Sequence, residues 1–383
     1  MSAYLDVNAT MPPDPEAVEA MIAALRDGLG NPSSAHAAGR LARRMLERSR
    51  EEVAAFLGVA PERVVFTSGG TEANAAGLSG LTYAGAGPPG RVVLVSAVEH
   101  PSVQEQALEL QRRGARRETI PVGADGIADL DALERQLADA GPGAVACIQA
   151  ANSETGVLQP LDEIARVLVR AGAVLHCDAV QAAGKVPLGA AVEAATTLAV
   201  AGHKLGAPPG AGALVVREGI EPAPLIAGRQ ERGRRGGTEN VPAAVALGVA
   251  ARLARARLDD WTGLAVRRDR LEAELLAALP GSVVWGAGPP RLPNTTCLGL
   301  PNGVRGAVAV AALDLAGIAI SSGPACSSGL ERGSPTVAAM GGSRAQAAAV
   351  ARLSLAPDTP DAALAAVVVA LTEVVERAGR SLG

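Results

Sequence analysis

The sequence has very few aromatic side chains and no long apolar run. Phe, Trp and Tyr together make up 2% of the 383 residues, although apolar residues as a whole make up 48%. The core must therefore be built from Ala, Val, Leu and Ile, in a globular rather than a disordered chain. No apolar run reaches the roughly 18 residues that a membrane span needs, and the N-terminus lacks the pattern of a signal peptide. We expect a protein of the cytoplasm.

Neither sign of charge is in large excess, and lysine is nearly absent. The formal net charge is −4, with both signs spread along the chain. This distribution predicts no binding of nucleic acid or of an anionic membrane. Lysine occurs only at Lys185 and Lys204, whereas arginine is abundant. Lys185 lies in a glycine-containing turn before a polar stretch, and we expect it at the surface. Small-molecule chemistry is the remaining expectation.

The four cysteines show no CxxC spacing, which argues against a zinc site or a disulfide framework. Three of them lie in apolar runs and are predicted to be buried. The fourth lies in the segment SSGPACSSG, residues 321–329, which has no bulky side chain. Such a segment is typical of a loop in which a thiol is accessible. The three buried cysteines are Cys147, Cys177 and Cys297, and the loop cysteine is Cys326.

Short apolar runs alternate with segments of helical periodicity over the first two thirds of the chain. This alternation predicts an α/β protein with a mostly parallel sheet and helices on both faces. The predicted strands are Val64–Thr67, Val92–Ser96, Ala144–Ile148, Val174–Cys177, Leu198–Ala201 and Ala213–Val216. The predicted helices between them are Ser102–Arg113, Leu130–Ala140 and Leu161–Ala171.

The pattern changes after about residue 240. One long helical stretch, Val241–Leu279, is followed by apolar runs near residues 283–285 and 295–300 and by helical segments at 307–316 and 361–378. We expect a large domain of residues 15–257. Residues 1–14 and 258–383 would form a smaller α+β domain that carries the cysteine loop.

Polar residues follow the predicted strands, where ligands of open parallel sheets bind. A lysine among Gly and Pro at a strand end, with its pKa lowered by desolvation, is suited to attack a carbonyl carbon. A strand-end Asp can pair with a pyridinium nitrogen, and a Gly-Thr helix start can bind phosphate. Each has an ordinary alternative, such as a helix cap or a solvated lysine. Together they predict pyridoxal phosphate, with Lys204, Asp178 and the start Gly70-Thr71 as its partners, His100 beside its ring and Gln181 at its phenolic oxygen.

The chain resembles the cysteine desulfurases of the NifS/IscS type, which have the class V aminotransferase fold, fold type I of pyridoxal-phosphate enzymes. The matching stretches occur in family order over essentially the full chain. They are residues 4–10, 30–36, 66–72, 98–101, 152–156, 178–181, 202–204, 230–240, 321–329 and 352–355. Departures include Ala201, where the family often has serine, and Pro324 in the cysteine loop.

The resemblance implies roles for individual residues. Lys204 would form the Schiff base with the cofactor and remove the substrate Cα proton, His100 would transfer protons, and Cys326 would take up sulfur. Asn152 and Arg352 would hold the substrate carboxylate. Asn152 also counts among the cofactor-binding residues that the resemblance implies. The residues that would bind the phosphate are Gly70, Thr71, His203 and, from the second subunit of a homodimer, Thr238.

The implied reaction converts L-cysteine to L-alanine, with a persulfide that is passed to an iron–sulfur scaffold protein or another acceptor. Residues 230–240 resemble the nitrogen-fixation branch, which implies sulfur supply for nitrogenase clusters. A selenocysteine lyase or an aminotransferase of the same fold is the nearest alternative. A non-catalytic partner protein is the second, although Lys204, Asp178 and Cys326 are all present.

Overall fold

A computed structural model describes residues 3–27, 30–84, 91–323 and 333–382. Helices and strands alternate through the first 216 residues, as the sequence predicts. The helices are α1 (Pro15–Arg26), α2 (Ala37–Leu57), α3 (Gly70–Thr82), α4 (Pro101–Arg112), α5 (Leu130–Ala140), α6 (Leu161–Ala171), α7 (Gly189–Ala194), α8 (Val241–Ala256), α9 (Leu258–Ala278), α10 (Gly306–Leu315), α11 (Pro335–Ala339), α12 (Arg344–Ala348) and α13 (Asp361–Leu382). The strands are β1 (Ala3–Tyr4), β2 (Val64–Thr67), β3 (Val92–Ser96), β4 (Arg116–Ile120), β5 (Val145–Cys147), β6 (Val174–Asp178), β7 (Thr197–Ala201), β8 (Gly212–Val216), β9 (Val283–Val284), β10 (Thr295–Gly299), β11 (Ile318–Ala319) and β12 (Val350–Ser354).

The large sheet has seven strands in the order β2-β8-β7-β6-β5-β3-β4. Strand β8 is antiparallel to both of its neighbours, and the remaining neighbours pair in parallel. Alternate residues of β3 face opposite cores, since Leu94 packs in the core with α2, α6 and α8 and Val95 packs in the core with α3 and α4. Helices thus cover both faces, and the predicted fold class is confirmed.

Small side chains take the place of aromatic residues in the main core. The buried face of α8 is largely alanine, and α8 packs closely against α2. At Gly248 an added Cβ would lie only 2.9 Å from the Ser49 Cα of α2. This close approach of two helix backbones fills the space that bulky side chains would otherwise occupy.

A second core lies around a small antiparallel sheet of order β12-β10-β9. It contains Trp261 and Leu271 of α9, Leu313 of α10 and Leu371 of α13. Leu5, near the start of the chain, is also part of it. This grouping is compatible with the predicted division at residues 14 and 257, which stays a prediction.

Two local predictions were wrong. The stretch Val241–Leu279 is two helices, because Arg257 leaves the helical conformation at φ −104° and ψ 12° between α8 and α9. Its guanidinium binds the Asp14 carboxylate at 2.6 Å. Strand β4 was missed because its sequence, RRETI, is mostly polar, as suits the edge of the sheet. None of the helices in the described ranges is long and apolar enough to cross a bilayer.

Candidate active site

A cavity opens at the edge of the sheet where β2, β3, β5, β6 and β7 all end. These strands run in the same direction, so the residues that follow them meet at one place. The sequence predicted this gathering from the polar residues after each apolar run. The polar residues that line the cavity are Asn8, Thr71, Asn74, His100, Ser102, Gln149, Ser153, Asp178, Gln181, His203, Lys204 and Arg352.

Lys204 follows β7 and is partly buried at the cavity wall. Its Nζ donates hydrogen bonds to two backbone carbonyl oxygens of the N-terminal segment, that of Ala9 at 2.7 Å and that of Asn8. Both of these acceptors are uncharged backbone carbonyl groups. The structure therefore places an amine suited to carbonyl chemistry in the cavity.

Asp178, the last residue of β6, lies buried at the floor of the cavity. One carboxylate oxygen accepts a hydrogen bond from the Val180 backbone N–H at 2.9 Å. The other accepts from Asn74 Nδ2 of α3 at 2.8 Å. These two donors fix the orientation of the carboxylate. Asn74 was missed by the sequence reasoning, although it lies within the Gly-Thr helix start that drew attention to α3.

A chain of hydrogen bonds continues from Asn74 to the buried His176. The Asn74 amide nitrogen donates to Asp178, so its Oδ1 accepts from His176 Nε2 at 3.1 Å. The Thr197 hydroxyl lies 3.0 Å from His176 Nδ1 and acts as a donor to it. Burial lowers the pKa of His176 to about 4. The imidazole is therefore neutral at pH 7, with its proton on Nε2.

We expect this neutral histidine to make the fold sensitive to acid. Below pH 6.5 the unfolded chain binds a proton at His176, which the folded protein does not bind until about pH 4. Stability is therefore lost as the pH falls through this window, by up to about 3 kcal/mol from this residue. Urea unfolding of wild type and His176→Gln should show a difference in free energy of unfolding that shrinks by this amount between pH 6.5 and 4. Parallel curves would contradict the assignment.

The start of α3 forms one end of the cavity. Gly69 precedes the helix and has no side chain to cap it, which leaves backbone N–H groups for an anion. An added Cβ at Gly70 would lie 2.9 Å from Val180 Cγ2 and 3.1 Å from Ala201 Cβ, so only glycine fits there. Thr71 and His203 line the same end.

His203 is held with one ring nitrogen 3.2 Å from the Thr10 hydroxyl. Burial, with the nearby Lys204 charge, lowers the pKa of His203 to about 4. At neutral pH it is an uncharged hydrogen-bonding group rather than a counter-ion for phosphate.

His100, the N-cap residue of α4, also lines the cavity. Its Nδ1 is 2.8 Å from the Ser102 hydroxyl and accepts from the Ser102 backbone N–H at 3.1 Å. Burial lowers the pKa of His100; the negative charge of Asp178 opposes this shift and Lys204 adds to it. With Nδ1 engaged as an acceptor, the neutral ring carries its proton on Nε2.

Arg352, in β12, brings a guanidinium to the cavity from the small sheet. It is buried, and its Nη2 binds the Asp6 carboxylate at 2.6 Å while its Nη1 donates to the Ser153 carbonyl oxygen at 3.1 Å. Within the described ranges its Nε has no hydrogen-bond partner. Arg352 lines the cavity, and a guanidinium is suited to an anionic ligand such as a carboxylate.

Two predicted site residues lie away from this lining. The Asn152 side chain is used in its own turn, where Oδ1 accepts from the backbone N–H groups of Glu154 and Thr155, each at 2.9 Å. Its Nδ2 donates to the Val98 carbonyl oxygen at 3.1 Å. Thr238 lines a second cavity. Their roles toward substrate and cofactor stay predictions.

The segment that leads to Thr238 is anchored by a buried ion pair. Both guanidinium Nη atoms of Arg50 lie 2.7 Å from the Glu231 carboxylate. The same carboxylate accepts from the Phe66 backbone N–H at 2.8 Å. Glu231 and Arg232 have positive φ angles of 48° and 58°. A bidentate pair of this kind holds the chain in a conformation that it would otherwise avoid.

The prediction of a surface position for Lys185 was wrong. Its side chain is 1% exposed, and Nζ donates to Gln181 Oε1 at 2.8 Å and to Asn8 Oδ1 at 2.9 Å. The turn that precedes it is itself interior: Gly184 has φ 75°, and an added Cβ there would meet Leu205 Cδ2 at 2.8 Å. A glycine turn indicated a change of direction but not which side faced solvent.

The structure tests the predictions for three of the four cysteines. Cys147, Cys177 and Cys297 are buried, as predicted, and burial raises the pKa of each thiol. They stay protonated and unreactive at neutral pH. Cys326 lies outside the described residues.

The cavity fits pyridoxal phosphate by the chemistry of its groups. An amine, a fixed carboxylate, an amide and an uncapped helix start are arranged around one space. They can meet the aldehyde, the ring nitrogen, the phenolic oxygen and the phosphate of that molecule, in that order. The residues involved are Lys204, Asp178, Gln181 and the Gly70-Thr71 start of α3.

Comparison with known proteins agrees with this fit. Residues 3–367 match the family model for class-V aminotransferases. A cysteine desulfurase from Trichormus azollae is 42% identical, over 98% of this chain and 93% of its own length. One from Gluconacetobacter diazotrophicus is also 42% identical, over 94% and 90%. A solved structure titled NifS-like protein from Rickettsia africae superposes with a TM-score of 0.87, at 30% identity, over 98% of this chain and 100% of that chain.

Proposed function

Because the chain belongs to the class-V aminotransferase family, we propose that it is a cysteine desulfurase. Its proposed reaction converts L-cysteine and the Cys326 thiol to L-alanine and a Cys326 persulfide. The observation that carries the proposal is that Lys204, Asp178 and Arg352 line one cavity in a chain 42% identical to a cysteine desulfurase. The resemblance read from the sequence is confirmed at the level of this family.

Pyridoxal phosphate is the cofactor of this family, and it withdraws electrons from bonds at the substrate Cα. Lys204 would bind it covalently, Asp178 would pair with its ring nitrogen, and Gln181 would donate to its phenolic oxygen. Its phosphate would lie at the α3 N-terminus. The phosphate-binding residues in this proposal are Gly70, Thr71, His203 and Thr238 of the partner subunit.

The chain's own groups supply the remaining chemistry. Arg352, which lines the cavity, would bind the substrate carboxylate together with Asn152. Lys204, once released from the cofactor, would remove the Cα proton. His100 Nε2 would transfer protons to and from the substrate, for which an imidazole with lowered pKa is suited at neutral pH.

The sulfur step belongs to Cys326. Its thiolate would attack the substrate sulfur, so that an S–S bond forms while the substrate Cβ–S bond breaks and Cβ gains a proton. The products have the same atoms as L-cysteine and the free thiol together. An accessible loop is needed, since the persulfide must then reach an acceptor.

The sulfur would then pass from the Cys326 persulfide to an acceptor. An iron–sulfur scaffold protein, and in particular one for nitrogenase clusters, is the acceptor that residues 230–240 suggest by their resemblance to the nitrogen-fixation branch. A homodimer in the cytoplasm is the form in which we expect the enzyme to act.

Product analysis tests the reaction class. The purified protein, loaded with pyridoxal phosphate, is incubated with L-cysteine and dithiothreitol, and alanine and sulfide are counted. We expect one sulfide for each alanine. In a parallel sample with an added 2-keto acid as amino acceptor, formation of the keto acid of cysteine and of a new amino acid in place of alanine would indicate an aminotransferase. In a third sample with L-selenocysteine, turnover of selenocysteine without turnover of cysteine would indicate a selenocysteine lyase. No product from any of these substrates would favour a non-catalytic partner protein.

A further inference from the structure

Both lysines of this chain contact the same residue. Lys204 donates to the Asn8 backbone carbonyl oxygen, and Lys185 donates to the Asn8 side-chain oxygen. Lysine and arginine together number 35 in the sequence, and all of them except these two lysines are arginines. An arginine stays charged in any environment, whereas a lysine can be buried as a neutral amine. The second lysine therefore has a chemical property that arginine cannot supply at this position.

The surroundings of Lys185 disfavour a positive charge on its amine. It is 1% exposed, and its Nζ lies 5.8 Å from the centre of the Trp261 ring. Its two hydrogen-bond acceptors are amide oxygens, not carboxylates. Burial lowers the pKa of Lys185 well below its usual value, and the positive charges of Lys204 and Arg352 lower it further.

The contact with Lys185 determines how Gln181 faces the cavity. Lys185 Nζ donates to Gln181 Oε1 at 2.8 Å, so the carboxamide oxygen points away from the cavity. Gln181 Nε2 donates one hydrogen to the Asn8 carbonyl oxygen at 2.8 Å. Its second hydrogen remains for a ligand, since Gln181 lines the cavity. A flipped carboxamide would place its oxygen against the Asn8 carbonyl oxygen, and two acceptors cannot form a hydrogen bond.

We propose that Lys185 is a positioning residue that holds the Gln181 carboxamide with its N–H toward the cavity, where it stabilises the anionic ring oxygen of the bound cofactor. The inference rests on the proposed function, because that oxygen belongs to pyridoxal phosphate. Lys185 acts through Gln181 and does not itself contact the reacting atoms.

The test is a pH titration of the visible absorption band of the holoenzyme. A donor to the anionic oxygen favours the unprotonated cofactor, so its loss should raise the pH at which the band changes. For Lys185→Met we expect an upward shift of about one pH unit, as for the loss of one hydrogen bond to a charged group. Gln181→Ala should give the same shift, and the double variant should shift no further, because both changes remove one interaction.

A merely structural role would give a different pattern. Leu271→Ala, in the second core and remote from the cavity, serves as a matched destabilised control, and its band should titrate as in wild type. An unshifted band in Lys185→Met, or shifts that add in the double variant, would overturn the inference. If Lys185→Met does not fold, Lys185→Gln is titrated instead. The glutamine side chain is one bond shorter than that of lysine, so its amide nitrogen does not reach Gln181 and the same shift is expected. Absence of that shift overturns the inference.

Absence of the cofactor and absence of a role for Lys185 would give different results. A wild-type protein that forms no visible band with pyridoxal phosphate would remove the cofactor and this inference with it. A normal band in wild type with unchanged titration in Lys185→Met would overturn the role of Lys185 alone.

Discussion

Replacement of Cys326 by alanine is expected to abolish sulfide release from L-cysteine, by at least about a thousandfold, because the variant has no nucleophile for the substrate sulfur. The other cysteines cannot substitute for it, since Cys147, Cys177 and Cys297 are buried and burial raises the pKa of each thiol. The rate of this reaction is measured as the sulfide released in the presence of dithiothreitol. The cofactor's visible band should be unchanged, because Cys326 has no proposed contact with the cofactor.

Cys147→Ala is the matched control for this experiment. It removes a thiol of the same chemistry from the interior of β5, where it does not line the cavity. We expect its rate of sulfide release to stay within a few-fold of wild type. Sulfide release from Cys326→Ala at the wild-type rate would contradict the persulfide step, and alanine formation without Cys326 would point to a lyase of the same fold.

Replacement of Lys204 by alanine is expected to remove both the covalent attachment of the cofactor and the base for the Cα proton. We expect turnover to fall by at least about a thousandfold, since two functions of one amine are lost together. Lys204→Arg should fail as well, because a guanidinium does not deprotonate at neutral pH and cannot take the place of the amine.

The scarcity of lysine makes the covalent site simple to locate. Borohydride reduction of the holoenzyme, followed by peptide mass analysis, should place the cofactor on Lys204 and leave Lys185 unlabelled. In Lys185→Met the label should stay on Lys204. A cofactor bound to Lys185 in wild type would contradict the assignment, as would full turnover by Lys204→Ala.

Much of the fold could be predicted from the sequence because local pattern and tertiary structure agree there. The apolar runs at β3, β6 and β7 are buried on both sides, so their continuous hydrophobicity indicates strands directly. Strand β4 lies at the sheet edge, where polar residues are allowed, and carries no such signal. The break between α8 and α9 also leaves little trace, because Arg257 is an ordinary helical residue whose conformation is set by its surroundings.

The residues of the site also differ in whether the sequence could predict them. Asp178, His203 and Lys204 could be predicted because each follows a strand and carries chemistry of its own. Asn74 and Asn8 could not, since their hydrogen bonds to Asp178 and Lys185 join residues that are 104 and 177 positions apart in the sequence. A glycine turn with a lysine is typical of a surface, and only the tertiary packing around Gly184 shows that this one is interior.

The most direct test of the central claim is the absorption spectrum of the purified protein before and after addition of L-cysteine, with alanine measured in the same sample. We predict a band near the visible edge that borohydride abolishes and that changes on addition of L-cysteine as alanine accumulates. A protein that stays colourless after incubation with pyridoxal phosphate, or a band that L-cysteine leaves unchanged, would contradict the proposed function.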